Sequence, residues 1–300
     1  MPKFILIDHS LRDIGGHHFD YALRILQAAE QQGYEIHIAT NQDLNPNQLP
    51  AHWHVYPTFI HDIYSQYSMT SSWSSHGKRG LRYVIRKWRQ VLLRGEYLQR
   101  FTVGVSEVLA KADPGLGDQV FLPTVTEVDL LGLQPIFANE HWQCGWHLLF
   151  HYNFLDGRTP DYASQGNSLR SMRKLFRRAL KGSTSQKLHF YNPTTQLSDQ
   201  YNRLGVANFH HLCHAVNPLL RRELEPRVEQ PLRVTCAGGI RVEKGHKGIF
   251  LVVDRLWKDY LSTGRMKFVL QTNQSGFSIP LPNGELAGSG DQPIEYVGHP

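Results

Sequence analysis

Short unbroken apolar runs alternate along this chain with stretches in which apolar residues recur every three to four positions. The first run is residues 4–7, Phe-Ile-Leu-Ile, followed after a polar connection by Phe19, Ala22, Leu23, Leu26 and Ala29 at helical spacing, with Gly33 closing the segment. A continuous apolar run suits a strand buried on both faces of a parallel sheet, and the second pattern suits an amphipathic helix. Residues 36–39 and 53–56 read as the next two strands. Strand, helix, strand in this order predicts a βαβ rhythm and an α/β fold.

The rhythm continues. Residues 81–101 place Val84, Ile85, Trp88, Val91, Leu92 and Leu98 among Arg82, Arg86, Lys87, Arg89, Arg94 and Arg100, which predicts a basic amphipathic helix. Residues 120–125 and 145–154 read as strands, and residues 169–181 as a second basic helix with Arg170, Arg173, Lys174, Arg177, Arg178 and Lys181. A strand at 187–191, a helix at 194–204 capped by Thr194 or Thr195, and a strand at 209–216 follow. Residues 65–80 are rich in serine and glycine, and a mobile loop is expected there.

The proline-bounded, charged segment 219–231 reads as a linker between a first domain, 1–218, and a second, 232–300. In the second, Leu232, Val234 and Cys236 feed a turn of Ala237, Gly238, Gly239, Ile240, Arg241, Val242, Glu243, Lys244 and Gly245. Ile249, Phe250, Val252, Val253 and Leu256 then recur at helical spacing, and strands are expected at 266–270 and 294–297. Paired glycines let a backbone approach a ligand closely, and a helix start offers N–H groups and positive dipole. With Arg241 and Lys244 beside them, this is a place for a phosphate or diphosphate. The bland alternative is an ordinary strand-to-helix turn with solvated charges. Gly15, Gly16, His17 and His18 form a similar loop after the first strand. They lie seven residues beyond Asp8 and lack a third glycine, which fits the dinucleotide fingerprint poorly.

The run Gly-Gly-Ile-Arg-Val-Glu-Lys-Gly resembles the donor-diphosphate loop of family 4 glycosyltransferases, enzymes of the GT-B fold. Aligned on Glu243, Lys244 and Gly245, the family's arginine position holds Gly239, so Lys244 matches and Arg241 is a stand-in two residues later. The resemblance implies two Rossmann-like domains, of which the second would be incomplete at residue 300. It also implies a nucleotide-sugar donor held by Gly238, Gly239, Arg241 and Lys244, and retention of anomeric configuration. Gly15, Gly16 and His17 would form the acceptor-side loop. Leu148-Leu149-Phe150-His151 looks like the family's strand that ends in a histidine reaching the transferred sugar, which makes His151 the candidate catalytic residue and His147 the next choice. Histidine is abundant here, at 17 residues, and on a strand is more often a packed or surface residue than a catalyst.

Composition narrows this only a little. The hydrophobic fraction of 41% and charged fraction of 19% are ordinary, and no apolar run approaches the about 20 residues of a membrane span. The first apolar run is too short for a signal peptide, so a cytoplasmic chain is expected. Cys144, Cys213 and Cys236 lack the paired spacing of a zinc knuckle or disulfide framework and are expected to be buried small hydrophobes. The net charge of +6 permits an anionic partner, and the two basic helices offer themselves to an anionic membrane surface at the inner face. Neither belongs to a nucleic-acid-reading module, so no nucleic acid is expected. With no Asp-x-Asp motif, a metal-independent transferase is expected, using a nucleotide sugar as substrate, a saccharide, lipid-linked or other acceptor, and no cofactor. The rival reading is a non-catalytic nucleotide-sugar-binding protein or membrane-surface scaffold, favoured by Gly239 at the arginine position. A sugar epimerase of the same architecture is a third.

Overall fold

The computed structural model describes residues 1–14, 17–62, 81–139, 141–156, 159–183, 187–215, 231–236, 246–272, 282 and 294–298, with the side chains of 17, 81–92, 159–160, 246–247, 250, 271–272 and 295–298 set aside. The chain divides into two compact units, Met1–Leu220 and Arg221–Pro300.

The first unit is built on a seven-stranded parallel sheet: β1 (Lys3–Ile7), β2 (Glu35–Asn41), β3 (His54–Phe59), β4 (Gln119–Val125), β5 (Gly145–Phe150), β6 (Leu188–Asn192) and β7 (Phe209–His211). Its strand order is β3-β2-β1-β4-β5-β6-β7. The chain winds outward from β1 to β3, then returns and winds the other way from β4. Right-handed crossovers therefore put α1 (His17–Gln31) on one face and the helices of the second half on the other. Those helices are α2 (Leu81–Ala112), α3 (Glu127–Phe137), α4 (Gly166–Ala179) and α5 (Thr195–Asn202).

Strand alternation sorts the core. Leu6, Ile36, Ile38, Phe121 and Leu149 face α1, where Tyr21, Ala22 and Leu26 meet them. Ile5, Ile7, Ala39, Val120, Leu122, Leu148 and Phe150 face the opposite layer, with Tyr97, Phe101, Val105, Val108 and Leu109 of α2 and Leu130 and Leu133 of α3. Phe150 sits in an aromatic cluster, with ring centroids 5.6 Å from Phe176, 5.5 Å from Tyr201 and 5.8 Å from Phe209.

Several elements differ from the sequence expectations. α2 runs to Ala112 rather than stopping at residue 101, because Val105, Val108, Leu109 and Ala112 continue the buried stripe. It ends where Asp113 takes a left-handed φ of 45° ahead of Pro114. α3 was not foreseen. Its apolar residues surround the helix and Pro135 interrupts it, so no clean stripe marks it, but Thr126 and Asp129 form a capping box at its start. β5 ends at Phe150, which leaves His151 beyond the strand, and β7 stops at His211. The apolar side of α4, Leu169, Met172 and Phe176, is taken up by the core, so only its charged face remains for an anionic surface. Of the cysteines, Cys144 is buried as expected, with its thiol pushed up to about 12 by that burial, whereas Cys236 is only half-buried and Cys213 is exposed.

The second unit carries β8 (Leu232–Cys236), α6 (His246–Leu256), a π-helical turn at Trp257–Leu261, β9 (Met266–Thr272) and β10 (Ile294–Gly298). Its three strands are parallel in the order β10-β9-β8. Val253, Leu261, Phe268, Leu270 and Ile294 form its core. The 219–231 linker lies outside the described residues except for Pro231, as does the expected loop at 65–80. Among the described residues no helix is long and apolar enough to cross a membrane.

Candidate functional site

In a doubly wound sheet the carboxyl ends of the two strands that part company leave a crevice, here between β1 and β4. Polar residues flank both carboxyl ends. Asp8 follows β1 directly, and Pro123 and Thr124 precede Val125, the last residue of β4. Asp8 is 1% exposed, and its backbone amide is still tied to Ala39 O on β2 at 2.9 Å. Asn41 holds the following loop by donating its side-chain amide to His9 O at 3.1 Å.

The buried carboxylate is fully engaged. Asp8 Oδ1 accepts from the Ser10 amide at 2.9 Å, and Asp8 Oδ2 lies 3.1 Å from His18 Nδ1 on the first turn of α1. Burial alone pushes the Asp8 carboxyl up. The hydrogen bond and charge of His18, the charge of His9 and the Ser10 amide outweigh it, and the group ionises below its usual range. For His18, burial pulls the imidazole down, but the hydrogen bond to Asp8 and the charges of Asp8, Asp62 and Asp13 win and raise it. The result is an ion pair in which the carboxylate orients the ring and fixes the proton on Nδ1, leaving acid–base exchange to Nε2.

His18 lines a cavity of about 100 Å³ with Tyr21, Pro123, Thr124, His151, Tyr152 and His214. His151 Nε2 lies 2.7 Å from Pro123 O, and since a carbonyl only accepts, this nitrogen carries a proton and donates it. His214, beyond β7, places its ring centroid 5.2 Å from both His151 and Tyr21. Burial pushes the Tyr21 phenol up to about 12, so it stays a neutral hydroxyl at neutral pH. Such a cavity takes a small polar group or one end of a larger ligand, well short of the roughly 300–1,000 Å³ of a whole small-molecule site.

Behind the β1 end runs a second polar chain. Tyr97 OH donates to Asp129 Oδ1 at 2.6 Å and lies 3.3 Å from His9 Nε2. Asp129 Oδ2 accepts from Thr126 N and Thr126 Oγ1, both at 2.8 Å. His9, Tyr97 and Asp129 are all buried, so the network ties the loop after β1 to the start of α3.

Of the residues singled out from sequence, His151 stands at the carboxyl edge of the sheet among the cavity residues. His147 does not. It sits on the third residue of β5, donating Nε2–H to Gln119 Oε1 at 2.8 Å and accepting at Nδ1 from Tyr191 OH at 3.2 Å. Burial and then the neighbouring His189 depress it to about 4, a neutral packed histidine. His17 opens α1, with its side chain outside the described residues. Gly15, Gly16, Gly238, Gly239, Arg241 and Lys244 also lie outside them. The sequence pattern passed over the Asp8–His18 pair, Tyr21, Thr124 and His214. The one usable signal was an acidic residue placed directly after the unbroken apolar run 4–7. Among the described residues the one grouping with metal-ligand geometry, Glu35, His37 and His54, is on strands β2 and β3 at their amino ends, away from this cavity.

Compared with known proteins, the chain matches no family model and no curated protein.

Proposed function

We propose that this protein is a nucleotide-sugar-dependent glycosyltransferase of the two-domain GT-B type. The observation that carries the reading is the cavity at the β1–β4 switch point, where the Asp8–His18 pair and His151 converge in a sheet of order 3-2-1-4-5-6-7. Supporting it are the parallel strands and crossover helix of the second unit, and the diphosphate-type loop around Gly238, Gly239, Arg241 and Lys244 read from sequence. In this reading the first unit binds the acceptor and the transferred sugar. His18 Nε2 exchanges a proton with an acceptor hydroxyl while Asp8 holds the ring, and Tyr21 and Thr124 supply neutral hydrogen bonds. Charge developing on the leaving nucleoside diphosphate is met by Lys244, Arg241 and backbone N–H groups. Retention, metal independence and a lipid-linked or saccharide acceptor belong to the same proposal.

The test is calorimetric titration of the full chain with UDP, GDP and ADP, then with Lys244→Ala and His18→Ala. One nucleotide is expected to bind, with Lys244→Ala weakening it by about 1.5–3 kcal/mol, the range for a hydrogen bond to a charged group. His18→Ala should leave nucleotide affinity unchanged and reduce sugar transfer. Absence of binding by all three would sink the proposal. Binding without transfer to any acceptor would favour the second reading, a nucleotide-sugar-binding protein without catalysis, which Gly239 at the family's arginine position supports.

A further inference from the structure

The parallel pairing of β2 with β3 puts His37 opposite His54 and Ala39 opposite Tyr56. Two residues before His37, on the same face of β2, is Glu35. Side chains of one face meet across such a pair, so register alone gathers Glu35, His37, His54 and Tyr56. Glu35 Oε1 lies 3.2 Å from His37 Nε2 and 3.0 Å from His54 Nε2. All three donor atoms fall within 4.8 Å of one another. Behind them, His37 Nδ1 is 2.9 Å from Tyr56 OH.

We propose that Glu35, His37 and His54 bind a divalent transition metal, zinc in the first instance. Two imidazoles and one carboxylate suit a borderline cation such as Zn²⁺, with a fourth position left to water. Ligand atoms about 2.0–2.2 Å from a tetrahedral ion stand roughly 3.3–3.5 Å apart, so the two spacings from Glu35 need to open by only a few tenths of an ångström. The two rings are stacked, 4.5 Å between centroids and 19° between planes, and one must tilt to aim its lone pair at a shared ion. His54 can do so. Its side chain is 52% exposed, and β3 stands last in the strand order. His37 is the fixed ligand, buried and held by Tyr56, which accepts the Nδ1 proton and turns Nε2 toward the site, the usual outer-shell arrangement for a metal-bound histidine. The nearest cation in register, Lys3, does not neutralise Glu35, because its ammonium donates to Ala112 O at 2.7 Å and Asp113 O at 2.9 Å at the end of α2.

The sheet contains its own control. On β5 and β6, His147 stacks on His189 at 4.8 Å and contacts Tyr191 OH, reproducing the His-His-Tyr arrangement. In place of the carboxylate stands Gln119, whose Oε1 accepts the His147 Nε2 proton. An amide there fixes a neutral hydrogen bond. A carboxylate at the Glu35 position supplies the anionic donor that a cation needs. Bound metal would clamp β3 onto β2 at the amino end of the sheet, opposite the cavity.

The experiment titrates Co²⁺ into the metal-stripped full chain and follows visible absorption, with Zn²⁺ then displacing it. One equivalent with the intense bands of a four-coordinate ion is expected. Glu35→Gln and His54→Ala should each weaken binding by more than about 100-fold, beyond what loss of an outer-shell partner causes, and Tyr56→Phe by about 10–100-fold. His189→Ala should bind as the unaltered chain does. Zn²⁺ should also raise the unfolding temperature of the unaltered chain and not that of Glu35→Gln, whose own cooperative unfolding transition in the absence of metal shows that it is folded. Absence of binding, equal binding by Glu35→Gln and His54→Ala, or equal loss in His189→Ala would overturn the proposal, the latter two marking adventitious capture by exposed histidines.

Discussion

Asp8 illustrates how much one residue depends on where the chain puts it. A carboxylate buried at 1% exposure is costly unless it is paired, and here His18 and the Ser10 amide pair it. The pair has a pH signature. His18 is raised in the folded state, so its share of the stability is complete below the unfolded value near 6.5 and fades as pH climbs through the folded value. Asp8 is lowered, so its share is complete above the unfolded value near 3.9 and fades as pH drops through the folded one. Asp8→Asn should therefore cost about 2 kcal/mol between roughly pH 4 and 6.5. The deficit should shrink at alkaline pH, where His18 is neutral in both proteins. Urea unfolding of both proteins across a pH series reads this directly, and a deficit flat from pH 5 to 9 would exclude the ionised pair. None of this was visible as a motif, since ten residues and a loop separate the partners. His147, by contrast, was singled out by sequence as an alternative to His151, and burial beside Gln119 and Tyr191 makes it a packed neutral residue.

At the scale of elements, α3 is the instructive case. Its apolar residues are too evenly spread to announce a helix, and Pro135 argues against one. The signal was in the cap. Thr126 Oγ1 accepts from the Asp129 amide at 3.2 Å, while Asp129 Oδ2 accepts from Thr126 N at 2.8 Å. Because Asp129 also takes the Tyr97 hydroxyl proton, the cap is part of the polar network behind β1. Thr126→Ala should destabilise the protein by about 1–2 kcal/mol through the lost cap, seen as a lower urea midpoint with an unchanged slope. Thr126→Ser should restore most of that, and equal loss in both would show that the methyl group, not the hydroxyl, matters. The helices that were legible, α1, α4, α5 and α6, owe it to a single apolar stripe or to a clear start such as Thr194, whose hydroxyl accepts from the Leu197 amide. α2 was legible at its beginning, and its true end at Ala112 followed from packing against β3 and α3.

Across the whole molecule, the stability of the first unit rests on two cores separated by the sheet. Phe150 stands at the centre of one, fully buried against Phe176, Phe190, Tyr201 and Phe209. Phe150→Ala should cost about 3–5 kcal/mol. It should also disturb His151, the residue that follows it just beyond β5, so chemical denaturation together with the tyrosine near-ultraviolet dichroism is the measurement. A loss below about 1 kcal/mol would mean that the aromatic cluster collapses to fill the space.

The sequence by itself determined the alternation of buried strands and helices, and with it the α/β class. Short unbroken apolar runs suit strands covered on both faces, and their alternation with helical spacing favours that reading. It also suggested a linker at 219–231, because a charged, proline-bounded stretch does not continue a core. The resemblance to family 4 glycosyltransferases, rather than any periodicity, pointed to His151, and the loop around Lys244 stays a chemical expectation. What only the tertiary structure decided is which distant polar groups meet. Parallel register brought Glu35 and His37 to His54, and the reversal of winding between β1 and β4 opened a crevice over Asp8, His18 and His151. Periodicity records how each segment faces water or core. It carries no information on which segment lies beside which, and the chemistry of a site is set by that adjacency.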